Sequence, residues 1–287
     1  MQLVINTPSS YFRVMDNFTG LIEFIPGVIW SLFYTTWTQA ESLQFRQIIV
    51  TLCVLAWSIR LGGFLVYRML FLCPLDTRIE DLAKKHGQLA VVGFWFGPHA
   101  FWSVICCLPV ALLHAFPISN VKFSILDLLG LAFWLCGFIM EGFADGKKLK
   151  AKLVGKKEKY YHLGSMWNYC RNPNHCGEVF CWLGLSIVAL NLFCYHPLYR
   201  YNFWMLILSQ FSPLFTLFAM LCEASLSSEI SNNKRYGNQI DYRQYRKRTS
   251  ILWPTHPELY IRLPRWMRKT IFFEWNMYNK GLKQMTN

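Results

Sequence analysis

Residues 166–184 read Met-Trp-Asn-Tyr-Cys-Arg-Asn-Pro-Asn-His-Cys-Gly-Glu-Val-Phe-Cys-Trp-Leu-Gly, and they place polar and charged groups directly beside a long apolar run. Pro173 restricts Asn172 to extended or turn geometry, so we expect a helix to begin near Asn174. The first backbone N–H groups of such a helix have no partner within it and can hold an anion. Because polar groups are costly within a membrane, a polar ligand at the membrane surface would account for this stretch.

The composition separates the chain from ordinary soluble domains. Of its 287 residues, 54% are hydrophobic and 17% aromatic, yet the formal net charge is +13. This combination fits a membrane protein with several spans better than a soluble domain. The positive charge is concentrated in two segments: residues 143–177 carry eight Lys and Arg against two acidic residues, and residues 227–287 carry twelve against four.

Six apolar segments are long enough to cross a membrane, which takes roughly 20 residues of helix. They are residues 18–38, 47–72, 91–116, 124–142, 178–196 and 202–225. Basic segments are typical of the cytoplasmic side, and placing both of them there gives a consistent path with both chain termini in the cytoplasm. The N-terminus lacks the basic region and cleavage site of a signal peptide, so we expect the first span to act as the targeting signal.

The predicted fold is therefore all-α: a polytopic membrane protein with about six transmembrane helices and a cytoplasmic C-terminal cap. Residues 1–227 form the membrane domain, which includes a loop at 143–177, and residues 228–287 form the basic tail. We expect the membrane of the endoplasmic reticulum as the location, membrane lipids as partners, and no binding of nucleic acid.

The C-terminal tail combines aromatic with basic residues. Residues 228–245 have a helical pattern that Tyr236 and Gly237 are expected to stop or bend. Further on, Trp and Phe alternate with Arg and Lys, which indicates a surface that lies on anionic lipid headgroups. A basic tail after a last span is also typical of a simple topology signal, so both interpretations stay open for residues 255–287.

Cysteine and histidine indicate neither a disulfide framework nor a metal site. Most of the ten cysteines lie within apolar runs, where Cys acts as a small hydrophobic residue. The group Cys170, His175, Cys176 and Cys181 lacks the Cys-x-x-Cys pairs of structural zinc, so no metal site is predicted. The chain also lacks the Gly-rich loops of Rossmann and P-loop nucleotide-binding folds.

Charged residues within the apolar segments indicate a functional site. Arg60 lies in the middle of the second span, far from the helix ends where a long basic side chain reaches water, so it should face a cavity, an anion or a carboxylate. Glu23 lies early in the first span, and Glu178 opens the fifth. Glu141 and Glu223 stand at helix ends, which is also typical of carboxylates at the membrane surface.

Four stretches resemble, in the same order, the motifs of membrane reductases related to steroid 5-alpha-reductase, in particular the DUF1295 branch. They are Trp57–Gly62 (Trp-Ser-Ile-Arg-Leu-Gly), Glu141–Lys148 (Glu-Gly-Phe-Ala-Asp-Gly-Lys-Lys), Trp167–Glu178, and Tyr236–Pro254 with its spaced Tyr, Thr and Pro residues. The resemblance covers about residues 50–254. It implies an all-helical membrane enzyme that uses NADPH to reduce a carbon–carbon double bond in a steroid, sterol or other lipid.

The resemblance also implies a cofactor site. The residues that match its positions, or add charge beside them, are Arg60, Asp145, Lys148, Lys152, Arg171, Asn174, Glu178, Tyr242 and Tyr245. The chemistry is compatible, because Arg offers forked donors to phosphates and Asn can pair with the amide of nicotinamide. The Lys residues would meet the 2′-phosphate of NADPH, and a cationic mouth would concentrate this polyanionic cofactor.

Reduction of an enone needs an acid that polarises or protonates the substrate as hydride arrives. In the steroid reductases a Glu of an early span and a Tyr do this; Glu23 resembles that Glu, whereas Trp57 stands in place of the Tyr. Because indole donates a hydrogen bond but no proton, we expect a buried, neutral Glu23 to act as the donor. The family's His in the central motif is Asn172 here, and the family's Tyr is His175. The titratable imidazole therefore stands three residues further along the chain than in the family.

Two other functions stay open at this point. An isoprenylcysteine-carboxyl or phospholipid methyltransferase, which uses S-adenosylmethionine, has a similar Arg-His-Pro motif and a tail with paired acidic residues. The matching region here, Glu223 to Glu229, is sparser in acids, and the Trp57–Gly62 motif favours reduction. The second of these is a non-catalytic membrane scaffold with a decayed reductase core, which the presence of Asn172 favours.

Overall fold

The computed structural model of the chain describes residues 44–72, 85–87, 101–115, 122–153, 163–195 and 203–282. Across these ranges the regular structure is helical, and an isolated parallel bridge joins Cys170 to Ser250. The predicted first span at 18–38, which contains Glu23, lies outside the described residues. The predicted third span at 91–116 is described only over residues 101–115.

The main helices of the described ranges are numbered here in chain order. They are α1 (Phe45–Leu72), α2 (Leu108–Ala115), α3 (Ile125–Leu153), α4 (Pro173–Tyr195), α5 (Phe203–Ala219), α6 (Leu226–Tyr236), α7 (Ile240–Arg248), α8 (Pro257–Arg262) and α9 (Arg265–Thr270). A π-helix, Met220–Ser225, continues α5 directly into α6. Two short 3-10 helices lie at Ser165–Asn168 and Asn276–Asn279.

Four helical segments in the described ranges are long and apolar enough to cross a membrane. They are Phe45–Arg68, Ile125–Ala151, Pro173–Cys194 and Trp204–Tyr236. These segments coincide with the second, fourth, fifth and sixth predicted spans, so the prediction of an all-helical chain with helices suited to a membrane is confirmed. The count of six spans and the cytoplasmic side of the C-terminal cap stay predictions.

The predicted loop at 143–177 is wrong over its first part, because α3 continues to Leu153. The apolar run ends near residue 142, but the following residues are rich in Ala, Leu and Lys, which favour helix. Loss of hydrophobicity therefore does not end the helix. As a consequence, Asp145, Lys148 and Lys152 lie on the last turns of α3 and not in a loop.

Two further helix boundaries agree with the sequence. Helix α4 begins at Pro173, one residue before the expected Asn174, and Pro is well suited to a first helical position because it has no N–H to satisfy. The predicted interruption after Tyr236 is confirmed, since α6 ends there and α7 begins at Ile240.

The chain divides into two compact units, and the first comprises residues 1–132 and 183–212. Within its described part, Arg46 forms a buried ion pair with Asp127, with Nε 2.6 Å from Oδ1 and Nη2 2.9 Å from Oδ2. The side-chain amide of Asn191 and the backbone N–H of Ser124, at 2.8 Å, donate to the same carboxylate. These four donors offset the cost of burying the charge of Asp127.

The second unit comprises residues 133–182 and 213–287. Its hydrophobic core joins spanning helices to the C-terminal segment, with the buried residues Met140, Cys176, Leu221, Ile251, Leu252 and Tyr278. Gly137 of α3 and Gly177 of α4 allow the two backbones to meet, because a Cβ on Gly177 would lie 2.6 Å from the carbonyl oxygen of Gly137. Small residues at such a crossing are typical of helices that pack within a membrane.

Candidate functional site

The segment before α4 is held in extended form by the C-terminal segment. The backbone N–H of Arg171 donates to Ser250 O at 2.8 Å, and that of Asn172 donates to Ile251 O at 3.1 Å. The side-chain amide of Asn172 donates to Ile251 O as well, at 3.2 Å. Since Pro173 keeps Asn172 out of helical geometry, the sequence itself leaves this segment free to pair with a neighbour.

A buried cluster of charges surrounds Arg171. Its Nη2 donates to both carboxylate oxygens of Glu274, at 2.8 and 2.7 Å, and its Nη1 lies 3.5 Å from Glu229 Oε2. Arg246 lies on the other side of Glu229, with Nε 3.4 Å from the same oxygen. Burial alone would lower the pKa of Arg171, but the two carboxylates outweigh it and hold that pKa well above its ordinary value. Arg171 is therefore a permanent buried cation.

Four tyrosine hydroxyls tie the segments around this cluster together. Tyr260 donates to Glu274 at 2.9 Å, Tyr245 to the backbone oxygen of Trp167 at 2.8 Å, Tyr242 to Asn233 at 2.9 Å, and Tyr278 to Leu221 O at 2.8 Å. Burial is the main cause that raises the pKa values of Tyr245, Tyr260 and Tyr278 above the ordinary value for tyrosine. These hydroxyls therefore stay protonated and act as donors.

His175, in the first turn of α4, contacts the π-helix. Its Nδ1 lies 2.8 Å from the hydroxyl oxygen of Ser225, which is completely buried. The positive charge of Lys148 interacts electrostatically with the imidazole of His175. The ammonium of Lys148 also lies 5.5 Å from the centre of the Trp167 ring. A π-helix inside an α-helix is frequent at functional sites, and here it brings Ser225 to the His175 ring.

Three buried carboxylates lie on the same two helices. Glu141 and Asp145 belong to α3 and Glu178 to α4, and all three side chains are buried. The glycine contact brings their backbones close, because a Cβ on Gly177 would lie 2.8 Å from the backbone nitrogen of Glu141. These three buried carboxylates belong to two of the motifs described above, Glu141–Lys148 and Trp167–Glu178, and they make this helix pair chemically unusual.

An open cavity of about 450 Å³ lies beside the Tyr245–Trp167 hydrogen bond. Its lining is mostly polar and consists of Asn168, Asp241, Gln244, Tyr245, Arg248, Thr249 and Pro257. It offers a guanidinium group, a carboxylate, two amides and hydroxyls, a set suited to a ligand that carries both anionic and hydrogen-bonding groups. Its volume falls within the range of about 300–1,000 Å³ that is usual for small-molecule sites.

The predicted site residues fall into three groups. Eight lie in the described part of the second unit: Asp145, Lys148, Arg171, Asn174, His175, Glu178, Tyr242 and Tyr245. Two lie in the first unit on α1: Trp57 is buried with its ring 6.3 Å from that of Trp102, edge to face, and Arg60 is half-buried. Glu23 and the side chain of Lys152 lie outside the described residues.

The observed contacts give several of these residues a structural task. Arg171 is enclosed by Glu229 and Glu274, and Tyr242 is completely buried against Asn233. Asn174 is half-buried at the start of α4, and only Tyr245 of the predicted set lines the cavity. The assignment of these residues to a cofactor stays a prediction.

Sequence reasoning missed the partners of these residues. Glu274 stands alone among the aromatic residues of the tail, and Ser225 and Arg248 carry no motif signal. In the sequence, Glu229 stands out only as one of the few acidic residues in the region that matches the methyltransferase tail. An ion pair between residues 103 positions apart, as for Arg171 and Glu274, leaves no local pattern that could reveal it.

The described residues hold no group of three or more His, Cys, Asp or Glu side chains placed to bind a metal ion. Burial raises the pKa of the Cys170 thiol to about 12, which disfavours the thiolate form that zinc requires.

Comparison with curated proteins and with solved structures finds no match for this chain. A family model does match, namely "Protein of unknown function (DUF1295)", and the match extends over residues 9–249. It therefore includes helices α3 to α7 and the segment before α4, and it ends 25 residues before Glu274. The chain belongs to the DUF1295 family.

Proposed function

We propose that this protein is an NADPH-dependent membrane reductase that reduces a carbon–carbon double bond in a steroid, sterol or other lipid. One observation carries the proposal. Two stretches that resemble the reductase motifs, Trp167–Glu178 and Tyr236–Pro254, are joined by the hydrogen bond from Tyr245 to Trp167 O and line one polar cavity together. Residues far apart in sequence thus meet where a polar ligand can bind.

The residues of the cavity suit part of a dinucleotide. The Arg248 guanidinium can pair with a phosphate, and Asp241 and Gln244 can bond to ribose hydroxyls. When bound, NADPH would supply the hydride, while the chain would hold and orient it. Lys148 and Lys152, on the last turns of α3, would add positive charge for the 2′-phosphate.

Reduction also requires a proton, and the chain offers two donors. His175 has its Nδ1 engaged by Ser225, which leaves Nε2 to hold a proton or to hydrogen-bond a substrate oxygen. Glu23 is the second donor in this proposal. Trp57 would orient the substrate through its indole N–H, since indole does not release a proton at ordinary pH.

Ligand binding to the purified protein in nanodiscs tests the proposal. We expect NADPH to raise the melting temperature more than NADH does, because only NADPH carries the 2′-phosphate, and S-adenosylmethionine to leave it unchanged. Arg248→Gln should weaken NADPH binding about tenfold or more, which corresponds to about 1.4 kcal/mol.

Lys247→Gln is the matched control, because Lys247 is an exposed base on the same helix that does not line the cavity. It should bind NADPH as the parent does, apart from a small electrostatic effect. Stabilisation by S-adenosylmethionine alone would contradict the proposed reductase function and favour that of a methyltransferase. Stabilisation by none of the three would favour the non-catalytic scaffold.

A further inference from the structure

Helices α8 and α9 expose large apolar side chains that the core does not cover. The exposed fractions are 56% for Leu259, 46% for Ile261, 63% for Trp266 and 45% for Ile271. Neighbouring residues of the same segment, such as Tyr260, are buried. We call residues 257–271 the α8–α9 surface. Four large apolar side chains at spacings of two to five residues are more than the scattered exposure that is normal on a water-facing surface.

Hydrogen bonds and a ring contact hold this surface in place, so its apolar side chains are not exposed through fraying of the chain end. The indole N–H of Trp253 donates to Ile271 O at 3.0 Å, and Nε of Arg268 donates to Leu263 O at 3.0 Å. The Tyr260 ring packs edge to face on Phe272, with centroids 5.5 Å apart. The segment therefore presents its exposed side chains in a fixed arrangement.

The residues that flank the surface pack on helices suited to span a membrane. Trp253 stacks on Phe180 of α4, with ring centroids 6.1 Å apart, and Phe273 packs against Trp253. Phe180 lies seven residues into α4, which is about 10 Å along the helix axis from Pro173. Interfacial segments bury their apolar faces about 5–10 Å into the boundary of headgroups and acyl chains. The flanks thus anchor the surface at the depth of that boundary.

The charges of the surface complement anionic lipid. Arg262, Arg265 and Lys269 are exposed, Arg268 is half-buried, and Glu258 is the one acidic residue of the α8–α9 surface. Such an alternation of bases with Trp, Leu and Ile is the composition of segments that lie in a membrane interface. A surface that faces water would carry basic residues without large apolar side chains beside them.

We propose that the α8–α9 surface lies in the headgroup layer of the protein's own membrane. Trp266 and its apolar neighbours enter the interface, and Arg262, Arg265 and Lys269 contact the phosphates and carboxylates of anionic lipids. The surface thereby fixes the C-terminal segment, including Glu274, on the membrane. This inference is independent of the proposed reductase activity, because it rests on packing and charge outside the cavity.

A fluorescent amino acid incorporated in place of Trp266 tests the inference in nanodiscs that hold one protein each. We expect quenching by lipids that carry a spin label near the headgroup. We also expect quenching by aqueous acrylamide, which is uncharged and is not repelled by anionic lipid, to be at least threefold weaker in nanodiscs with phosphatidylserine than in nanodiscs of phosphatidylcholine alone. The combined variant Arg262→Glu, Arg265→Glu and Lys269→Glu should abolish this dependence on phosphatidylserine.

The matched control is Lys234→Glu with Lys247→Glu, two exposed bases outside the surface. This variant should keep the lipid dependence of the probe. Equal quenching by acrylamide in both lipid compositions, without quenching by the spin-labelled lipids, would show that the surface faces water and overturn the inference. Protection from acrylamide without quenching by these lipids would overturn it as well, since protein would then cover the surface.

Discussion

Arg171 donates to both carboxylate oxygens of Glu274, at 2.8 and 2.7 Å, although 103 positions separate the two residues. Arg171 belongs to the central family motif, whereas Glu274 lies beyond residue 249, where the family match ends. The C-terminal segment therefore fixes a side chain of the motif from outside the matched region. This arrangement makes the tail part of the candidate site and not an appendage.

Removing Arg171 should cost more stability than removing its tail partner. Arg171→Met leaves the fully buried Glu229 with a weakened counter-charge, and we expect a loss of about 3–5 kcal/mol in the free energy of unfolding. Glu274 is 27% exposed, and Glu229 would still balance Arg171 after Glu274→Gln, so a loss of about 1–3 kcal/mol is expected. Equilibrium unfolding in mixed detergent micelles measures the free energy of unfolding of both variants.

Glu258→Gln provides the control for this pair, because Glu258 is an exposed acid of the same C-terminal segment. A change within about 0.5 kcal/mol is expected there. If Glu274→Gln lowers the free energy of unfolding no more than Glu258→Gln does, the ion pair does not hold the tail in solution.

Alkaline pH should destabilise the protein through its buried tyrosines. Burial raises the folded-state pKa values of Tyr245, Tyr260 and Tyr278, whereas the unfolded chain ionises near pH 10. The stabilising difference is fully present below pH 10 and is lost as the pH rises above 10 toward the folded pKa values. We therefore expect the free energy of unfolding to fall more steeply above pH 10 than below it, where buried thiols such as Cys170 already cause a smaller decline.

Tyr245→Phe separates one tyrosine from the rest. At pH 8 it should lose about 1 kcal/mol with the hydrogen bond to Trp167 O, and above pH 10 its stability should fall less steeply than that of the parent. Tyr169→Phe, at an exposed tyrosine, should leave the slope unchanged. A parent whose stability is level up to pH 11 would contradict the burial of these hydroxyls.

The spans could be predicted from sequence because a membrane requires apolar runs of nearly fixed length. The predicted second span, 47–72, agrees with Phe45–Leu72, and the fifth, 178–196, with Pro173–Tyr195. The end of α3 could not be predicted in the same way. Hydropathy indicates where the apolar run ends, whereas Lys and Ala continue the helix beyond that run to Leu153.

The candidate site could be predicted only where a motif marks a residue. Asp145, Arg171, His175, Glu178 and Tyr245 stand at motif positions, and the structure places them in one compact unit, while their role toward a cofactor stays a prediction. Their partners were not recognisable, because Ser225 depends on a π-helix that rotates it toward His175, and Glu229 depends on long-range pairing. Side-chain partners across tens of residues follow from packing, which no local pattern encodes.

The glycine contact of α3 and α4 should tolerate no side chain. A Cβ on Gly137 would lie 2.7 Å from the backbone nitrogen of Cys181, and backbone cannot move aside as a flexible side chain can. We expect Gly137→Ala to lower the free energy of unfolding by about 1–3 kcal/mol, as overpacking does. Gly146→Ala on the same helix meets nothing within 4 Å, so it should raise stability by about 0.5–1 kcal/mol. Equal effects of the two changes would contradict the close approach.

Ser225→Ala should release the His175 ring from one orientation. The hydroxyl lies 2.8 Å from Nδ1 and is the contact that the π-helix supplies. Without it, we expect a mixture of imidazole tautomers in place of one, and a loss of about 1–3 kcal/mol from a polar atom left without its partner. Nitrogen-15 NMR of labelled histidine in nanodiscs measures the tautomers, and His175→Gln identifies the signal among the seven histidines.

Ser227→Ala is the control for this change, because Ser227 is exposed two residues further along the same helix. It should preserve both the tautomer and the stability of the parent. A single, unchanged tautomer after Ser225→Ala would mean that another group orients the ring, and the proton-donor role proposed for Nε2 would lose its structural basis. A change in the tautomer with stability within 0.5 kcal/mol of the parent would instead assign Ser225 to orientation alone.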